Sequence, residues 1–207
     1  LGPVLTRLPA GDGDEYWAPE LAFRDGSWWL YYSLGHGIDG HHLRVARADR
    51  PTGPFADLGV NLTPGELFAI DPHPFRDEDG SWYLFFARDV LDGPRPGTHL
   101  AVAPLPAPDR LGPVTPVLQP DADWQLYQRG RRMYDREFDW HTLEGPFVVR
   151  RNGGYWMTFS GGAWTGSGYA VAWADAPHPL GPWSHAPAGT PPLLATGGDL
   201  IGPGHNS

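Results

Sequence analysis

Three carboxylic acids recur in one kind of setting. Glu20 stands in WAPEL (17–21), Asp71 in IDPHPF (70–75) and Glu144 in LEGPFV (143–148), each close to a proline at the head of a short apolar run. A pair of carboxyl groups across a small pocket can cleave a glycosidic bond: one, kept protonated, gives its proton to the leaving oxygen, while a carboxylate activates water or attacks carbon. Burial and neighbouring charge hold the pKa values of such a pair apart. An acid beside Pro or Gly-Pro is also an ordinary turn former or strand cap, so spacing alone leaves both roles open. The balance moves toward chemistry because the three acids share the chain with tryptophan-rich segments, whose faces stack on sugar rings. Among Trp17, Trp82, Trp140 and Trp164, those inside strands are expected to pack, and Trp17, beside the first acid, is the candidate substrate contact. His205 in GPGHNS (202–207) takes a comparable place near the end of the chain. No HxH or HExxH pairing occurs, which gives no zinc site, and His36, His41 and His42 fall in a stretch expected to be a solvated polar loop.

The elements that must position these residues repeat along the chain. AFRDGSWWLYYS (22–33), FRDEDGSWYLFFA (75–87) and VVRRNGGYWMTFS (148–160) align on Gly26, Gly80 and Gly153. Each is an apolar stretch, a turn built on glycine, then alternating large residues, the pattern of a β-hairpin. Downstream, LRVARADRPTGPFADLG from Leu43, LAVAPLPAPDRLGPV from Leu100 and YAVAWADAPHPLGPW from Tyr169 keep Val45, Val102 and Val171 in step, as they do the Gly-Pro pairs at 53, 112 and 181. One unit is therefore four short antiparallel strands over about 50 to 75 residues, the size of a β-propeller blade. A β-sandwich would also supply short strands but does not predict this self-similarity. In a propeller the first strand of each blade lines the central channel, so acids at the start of those strands converge there.

The ends fall inside blades. Gly2-Pro3-Val4-Leu5 matches a last strand, and the tail from Asp199 matches a first strand, leaving three whole blades between Trp17 and about Ala188. Either the chain is an internal piece of a longer sequence or the two ends combine into one closing blade, which gives four. The segment Asp121–Thr142, interrupted by Gly130, reads as an insertion between blades.

Composition narrows the function classes. Twenty-eight glycines and 24 prolines in 207 residues border on low complexity, but ten Trp, eight Tyr and nine Phe supply the apolar area of a folded, turn-rich chain. A net charge of -9, with arginine as the sole basic side chain besides histidine, gives no footprint for a phosphate backbone, so no nucleic acid is expected. No apolar run reaches the roughly 18 residues of a membrane helix, and the absence of cysteine removes disulfides and thiol chemistry.

Taken in order, WAPEL (17–21), IDPHPFRDEDGSWYLFF (70–86), EGPFVVRRNGGYWMTFSGG (144–162) and GPGHNS (202–207) resemble glycoside hydrolase family 43, the family of arabinanases, β-xylosidases and α-L-arabinofuranosidases. The resemblance implies an all-β, five-bladed β-propeller, with about three complete and two partial blades here. Residues 1–207 would then be a single domain, incomplete at both ends. Five blades of about 60 residues need about 300 residues. The resemblance further implies inverting hydrolysis of oligo- or polysaccharides containing arabinose or xylose. Glu144 corresponds to the general acid and Asp71 to the carboxylate that orients it and raises its pKa. His205 corresponds to a histidine near the channel that associates with a calcium ion or a water, and the reaction requires no cofactor. The general base of the family is an aspartate on the inner strand of the first blade, for which this chain has no counterpart; Asp12 and Asp14 precede Trp17 in a different motif and are not assigned to it. The rival expectation is a carbohydrate-binding propeller without catalysis.

Overall fold

The turns explain most of the architecture. In this computed structural model, which describes residues 2–6, 8 and 10–206, Asp25-Gly26 and Asn152-Gly153 each put two successive residues at positive φ. That is the two-residue hairpin turn whose twist suits flanking strands, and Asp, Asn and Gly adopt it at least cost. They join β1 (Glu15–Arg24) to β2 (Ser27–His36), and β10 (Arg136–Arg151) to β11 (Gly154–Gly161). The middle repeat turns more slowly: Asp77 N–H donates to Ser81 O and Gly80 N–H to Asp77 O, and Gly80 carries the positive φ. Leu1, Arg7, Pro9 and Ser207, the last being the end of the GPGHNS run, lie outside the described residues.

The chain forms two compact units, Leu1–Phe86 with Ala103–Val114, and Ala87–Val102 with Thr115–Ser207. In the first, β1, β2, β3 (Asp39–Ala48) and β4 (Ala56–Asp57) make a four-stranded antiparallel meander in sequence order. Its core is Leu30, Tyr32, Leu34, Ala46, Ala48 and Phe55. Full burial of each large side chain among them contributes roughly 1.5–3 kcal/mol. β5 (Ala69–Arg76) runs beside β1, β2 and β3. Arg24 at the end of β1 donates to the carbonyls of Leu105 and Pro106, both at 2.7 Å, which ties a long connection back to the sheet.

In the second unit β10, β11, β12 (Ala170–Ala176) and β13 (Ser184–His185) repeat the antiparallel meander. β6 (Trp82–Val90) and β7 (Gly97–Pro104) are divided between the units, and with β5 and β8 (Thr115–Leu118) they give the order β5-β6-β7-β8. The three meanders are the three sequence repeats, and each Gly-Pro pair precedes the last strand of its meander. β7 also pairs with β10 in parallel, His141 opposite Gly97 and Thr142 opposite Thr98. A Cβ at Gly97 would collide with the carbonyl of His141, so this approach of two backbones requires glycine.

Two sequence expectations are revised here. The insertion Asp121–Thr142 is a single 3₁₀ turn (Asp123–Gln125) followed by a hairpin of β9 (Leu126–Met133) against the first part of β10, closed by Tyr134 and Asp135 at positive φ. Gly130 sits within β9, its N–H donating to Asp139 Oδ1 at 3.0 Å, so it does not interrupt the strand. The tail from Asp199 forms no strand among the described residues; Gly197 and Leu200 form an isolated bridge, and the last residues attach to β11 by hydrogen bonds from His205 and Asn206.

Candidate active site

The first strand of each meander carries the same local distortion. Ala18 (φ 45°), Asp71 (φ 57°) and Gly145 (φ 56°) lie in the left-handed region, and each is followed by proline. Proline has no N–H to give to a ladder, and the pairing slips between Trp17 and Glu20 in β1 and between Glu144 and Phe147 in β10, as at a β-bulge. His205 (φ 53°), in the tail, shares this backbone conformation without the proline. The three acids that the sequence sets at related points therefore occupy different offsets. Glu144 precedes the left-handed residue, Asp71 is that residue, and Glu20 follows it by two.

In the first unit, Asp71 is 7% exposed on β5, and its N–H donates to Ser33 Oγ at 3.1 Å. Glu20 is engaged elsewhere: its Oε2 lies 2.8 Å from Nδ1 of His73, a buried residue at the equivalent offset on β5. Trp17 stacks on His41 with ring centroids 3.7 Å apart, and its Nε1 donates to Glu15 Oε2 at 3.1 Å. Trp17 also lines a cavity of about 380 Å³ with Tyr16, Pro19, Leu30, Tyr32 and Asp14.

The loop expectation for His41 and His42 is overturned, since both lie on β3, and His41 is fully buried. The pattern of β3 explains it: the DGHHLRV run alternates, and position 41 falls on the inward face with Leu43 and Val45. Gly35 makes room, because a Cβ there would stand 2.6 Å from the His41 ring. Burial pushes the His41 imidazole pKa down, against the hydrogen bond of Nε2 to Gly37 O at 2.8 Å, so a neutral ring backs the Trp17 indole. His36 ends β2 instead of lying in a loop; it is exposed, as expected, and lies 2.9 Å from Asp14.

In the second unit, Glu144 is half-buried on β10 and its Oε1 accepts the phenolic hydrogen of Tyr169. Tyr169 precedes β12, and its ring lies against Gly204, where any Cβ would overlap it. A Cβ at Gly145 would stand 3.6 Å from the Cα and Nδ1 of His205, so the GHNS run borders the strand that carries Glu144. His205 N–H donates to Ser160 Oγ at 2.6 Å, and Asn206 Nδ2 to Thr158 Oγ1 at 2.6 Å. The structure thus gathers Glu144, Tyr169 and His205 in one unit, and Trp17, Asp71 and Ser33 in the other. Trp140 is buried in β10 and Trp82 packs under Arg24, as strand tryptophans should, while Trp164 is exposed. Among the described residues no group of three or more acidic or histidine side chains could hold a metal ion. The exposed imidazole of His205 does not supply the six to eight oxygens that calcium takes.

Tyr169, His73 and Ser33 were not singled out by sequence, and His41 was expected in a solvated loop. His73 had a signal, because it holds in IDPH the place that Glu20 holds in WAPE. Tyr169 had none beyond opening the YAVAWADA run.

The chain matches known proteins over its whole length. The sequence profile described as "Glycosyl hydrolases family 43" matches residues 2–207. An extracellular exo-α-(1→5)-L-arabinofuranosidase of Streptomyces chartreusis is 30% identical over 96% of this chain and 60% of its own length. A β-D-galactofuranosidase of Aspergillus niger is 29% identical over 98% of this chain and 55% of its own length. The chain therefore spans between half and two thirds of these curated relatives. The crystal structure of a thermostable family-43 glycoside hydrolase superposes with a TM-score of 0.81 at 29% identity, covering 100% of this chain and 66% of that one. A profile match over residues 2–207 shows that the protein belongs to glycosyl hydrolases family 43.

Proposed function

We propose that the protein is an inverting O-glycosyl hydrolase acting on arabinose- or xylose-containing glycans, with residues 1–207 belonging to one five-bladed propeller domain. The observation that carries the reading is Glu144: it stands at the bulge of an inner strand, hydrogen-bonded by Tyr169 and bordered by the GHNS run, in a chain of this family. The furanosidase named among its relatives supports a pentofuranoside as substrate.

Glu144 acts as general acid. It protonates the departing oxygen while water attacks the anomeric carbon from the opposite face, in a single step that inverts configuration. Asp71 is the second carboxylate, which favours the protonated form of Glu144 by like-charge repulsion. Trp17 offers an indole face to a sugar ring, its orientation set by the stack on His41. The base that activates water is assigned to no residue of this chain; Asp14 is engaged with His36 at 2.9 Å and Asp12 with Arg44 at 3.8 Å. Water and carboxyl groups suffice for this chemistry, so no cofactor is invoked.

The test is Glu144→Gln. Hydrolysis of natural arabinosides and xylosides should fall by about a hundredfold or more, while dinitrophenyl glycosides, whose leaving group needs no proton, keep most of their rate. Equal losses on both substrates would remove the acid role. Binding of xylo- or arabino-oligosaccharides by the native protein with no reducing sugar released would replace hydrolysis by the reading as a carbohydrate-binding propeller.

A further inference from the structure

The three hairpins differ at one small position. Counting the same number of residues beyond the turn glycines Gly26, Gly80 and Gly153 gives Ser33, Ala87 and Ser160. Ser33 and Ser160 are fully buried, as is Ala87. Each serine hydroxyl accepts the N–H of a left-handed residue in the next inner segment: Ser33 from Asp71 at 3.1 Å, Ser160 from His205 at 2.6 Å. The left-handed residue that follows Ala87 in the repeat is Gly145. In these three pairs the chain has serine before Asp71 and His205 and alanine before Gly145. The left-handed conformation costs aspartate and histidine more than it costs glycine, so a hydrogen bond to the backbone has more to hold in place at Asp71 and His205 than at Gly145.

We propose that Ser33 and Ser160 are latches that fix the left-handed residue of the following segment, and that Ser33 is thereby a positioning residue for Asp71. The second half rests on the role given to Asp71 above; the first does not. Releasing the Asp71 amide lets its backbone relax toward the extended conformation preferred before proline, which swings the carboxylate away from its working place.

Two readouts separate the parts. In the purified native protein, Ser33→Ala should speed hydrogen exchange of the Asp71 amide about five- to tenfold, the ratio that one net hydrogen bond supports, and leave the Gly145 amide unchanged. Ser160→Ala should do the same at His205, and Ser33→Thr, which keeps the hydroxyl, should restore protection at Asp71. Unchanged exchange at Asp71 in Ser33→Ala overturns the latch. In the hydrolysis assay, Ser33→Ala should lower kcat with KM preserved and shift the alkaline limb of the pH profile, with recovery in Ser33→Thr. Faster exchange with wild-type kcat and pH profile overturns the positioning role. If the wild-type protein hydrolyses no glycoside, the proposed function falls, and the exchange data still decide the latch.

Discussion

Tyr169 donates its phenolic hydrogen to Oε1 of Glu144, and Gly204 lies against the same ring, so the proposed acid is held through a tyrosine that the GHNS segment covers. A donor aimed at a carboxylate favours its ionised form. In the proposed mechanism the alkaline limb of the pH profile records loss of the Glu144 proton. Tyr169→Phe should therefore move that limb to higher pH and reduce kcat about tenfold, the scale of one hydrogen bond to a charged group. A limb that stays in place, measured as kcat against pH on a natural arabinoside, would sever Tyr169 from the acid.

Asp71→Asn should push the same limb the other way. In the proposed mechanism the Asp71 carboxylate raises the pKa of Glu144 by disfavouring a second negative charge; its removal should make Glu144 ionise at lower pH and contract activity from the alkaline side. A loss of kcat of about tenfold or more accompanies it. The pair of opposite displacements in Tyr169→Phe and Asp71→Asn discriminates the two influences on one proton. Displacement in the same direction in both variants would refute the modulator role.

Acid stability rests partly on three histidines. Burial pushes the imidazoles of His41, His99 and His141 down, with the Arg95 guanidinium adding to the effect at His141. Below their ordinary value of about 6.5, the unfolded chain binds protons that the folded chain refuses. Their neutral state therefore stabilises the fold fully above that pH, and the stability is lost as the pH falls through it toward the lower folded values. Calorimetry at constant ionic strength should show the melting temperature declining from near pH 6.5 downward. The decline should be shallower in His41→Phe, which keeps an aromatic ring against Trp17. Parallel slopes for wild type and variant would show that His41 does not titrate in this way.

The repeats, the hairpins and the position of every meander were legible because they rest on local chemistry: Asp-Gly and Asn-Gly turns, Gly-Pro pairs, alternating aromatics. Glu144, Asp71 and Trp17 were legible as residues in motifs, but their offsets around the bulge were not. A bulge appears only when a strand is paired, and Ala18, Asp71 and Gly145 share a conformation that no residue type announces. The hairpin of β9 and β10 was hidden for the same reason, since Tyr134-Asp135 takes the left-handed turn without glycine. His41 was misplaced because a polar run was read by composition, whereas alternation on β3 and the space left by Gly35 put its ring inside. Tyr169 reaches Glu144 from a neighbouring segment, a long-range pairing that sequence spacing does not encode.

Asp57, at the edge of the first meander, has a side chain that is 3% exposed. Oδ1 accepts from Arg44 Nη2 at 2.6 Å and from the Gly59 N–H at 2.7 Å, and Oδ2 accepts from the Tyr32 hydroxyl at 2.5 Å. Burial alone would push this carboxyl up, but the Arg44, Tyr32 and Gly59 donors outweigh it and hold the pKa below the usual carboxylate range. The resulting stability is present above the unfolded value of about 3.9 and is lost as the pH falls through the lower folded value. Asp57→Asn leaves the Arg44 guanidinium, itself 12% exposed, without its main counter-charge, and should cost about 3 kcal/mol at neutral pH. Tyr32→Phe removes one hydroxyl and should cost about 1 kcal/mol. Urea titrations at pH 7 and pH 3 test both: the gap between wild type and Asp57→Asn should narrow at the lower pH. A gap that is the same at both pH values would mean that the loss comes from shape, and the ion pair would contribute nothing to the acid response.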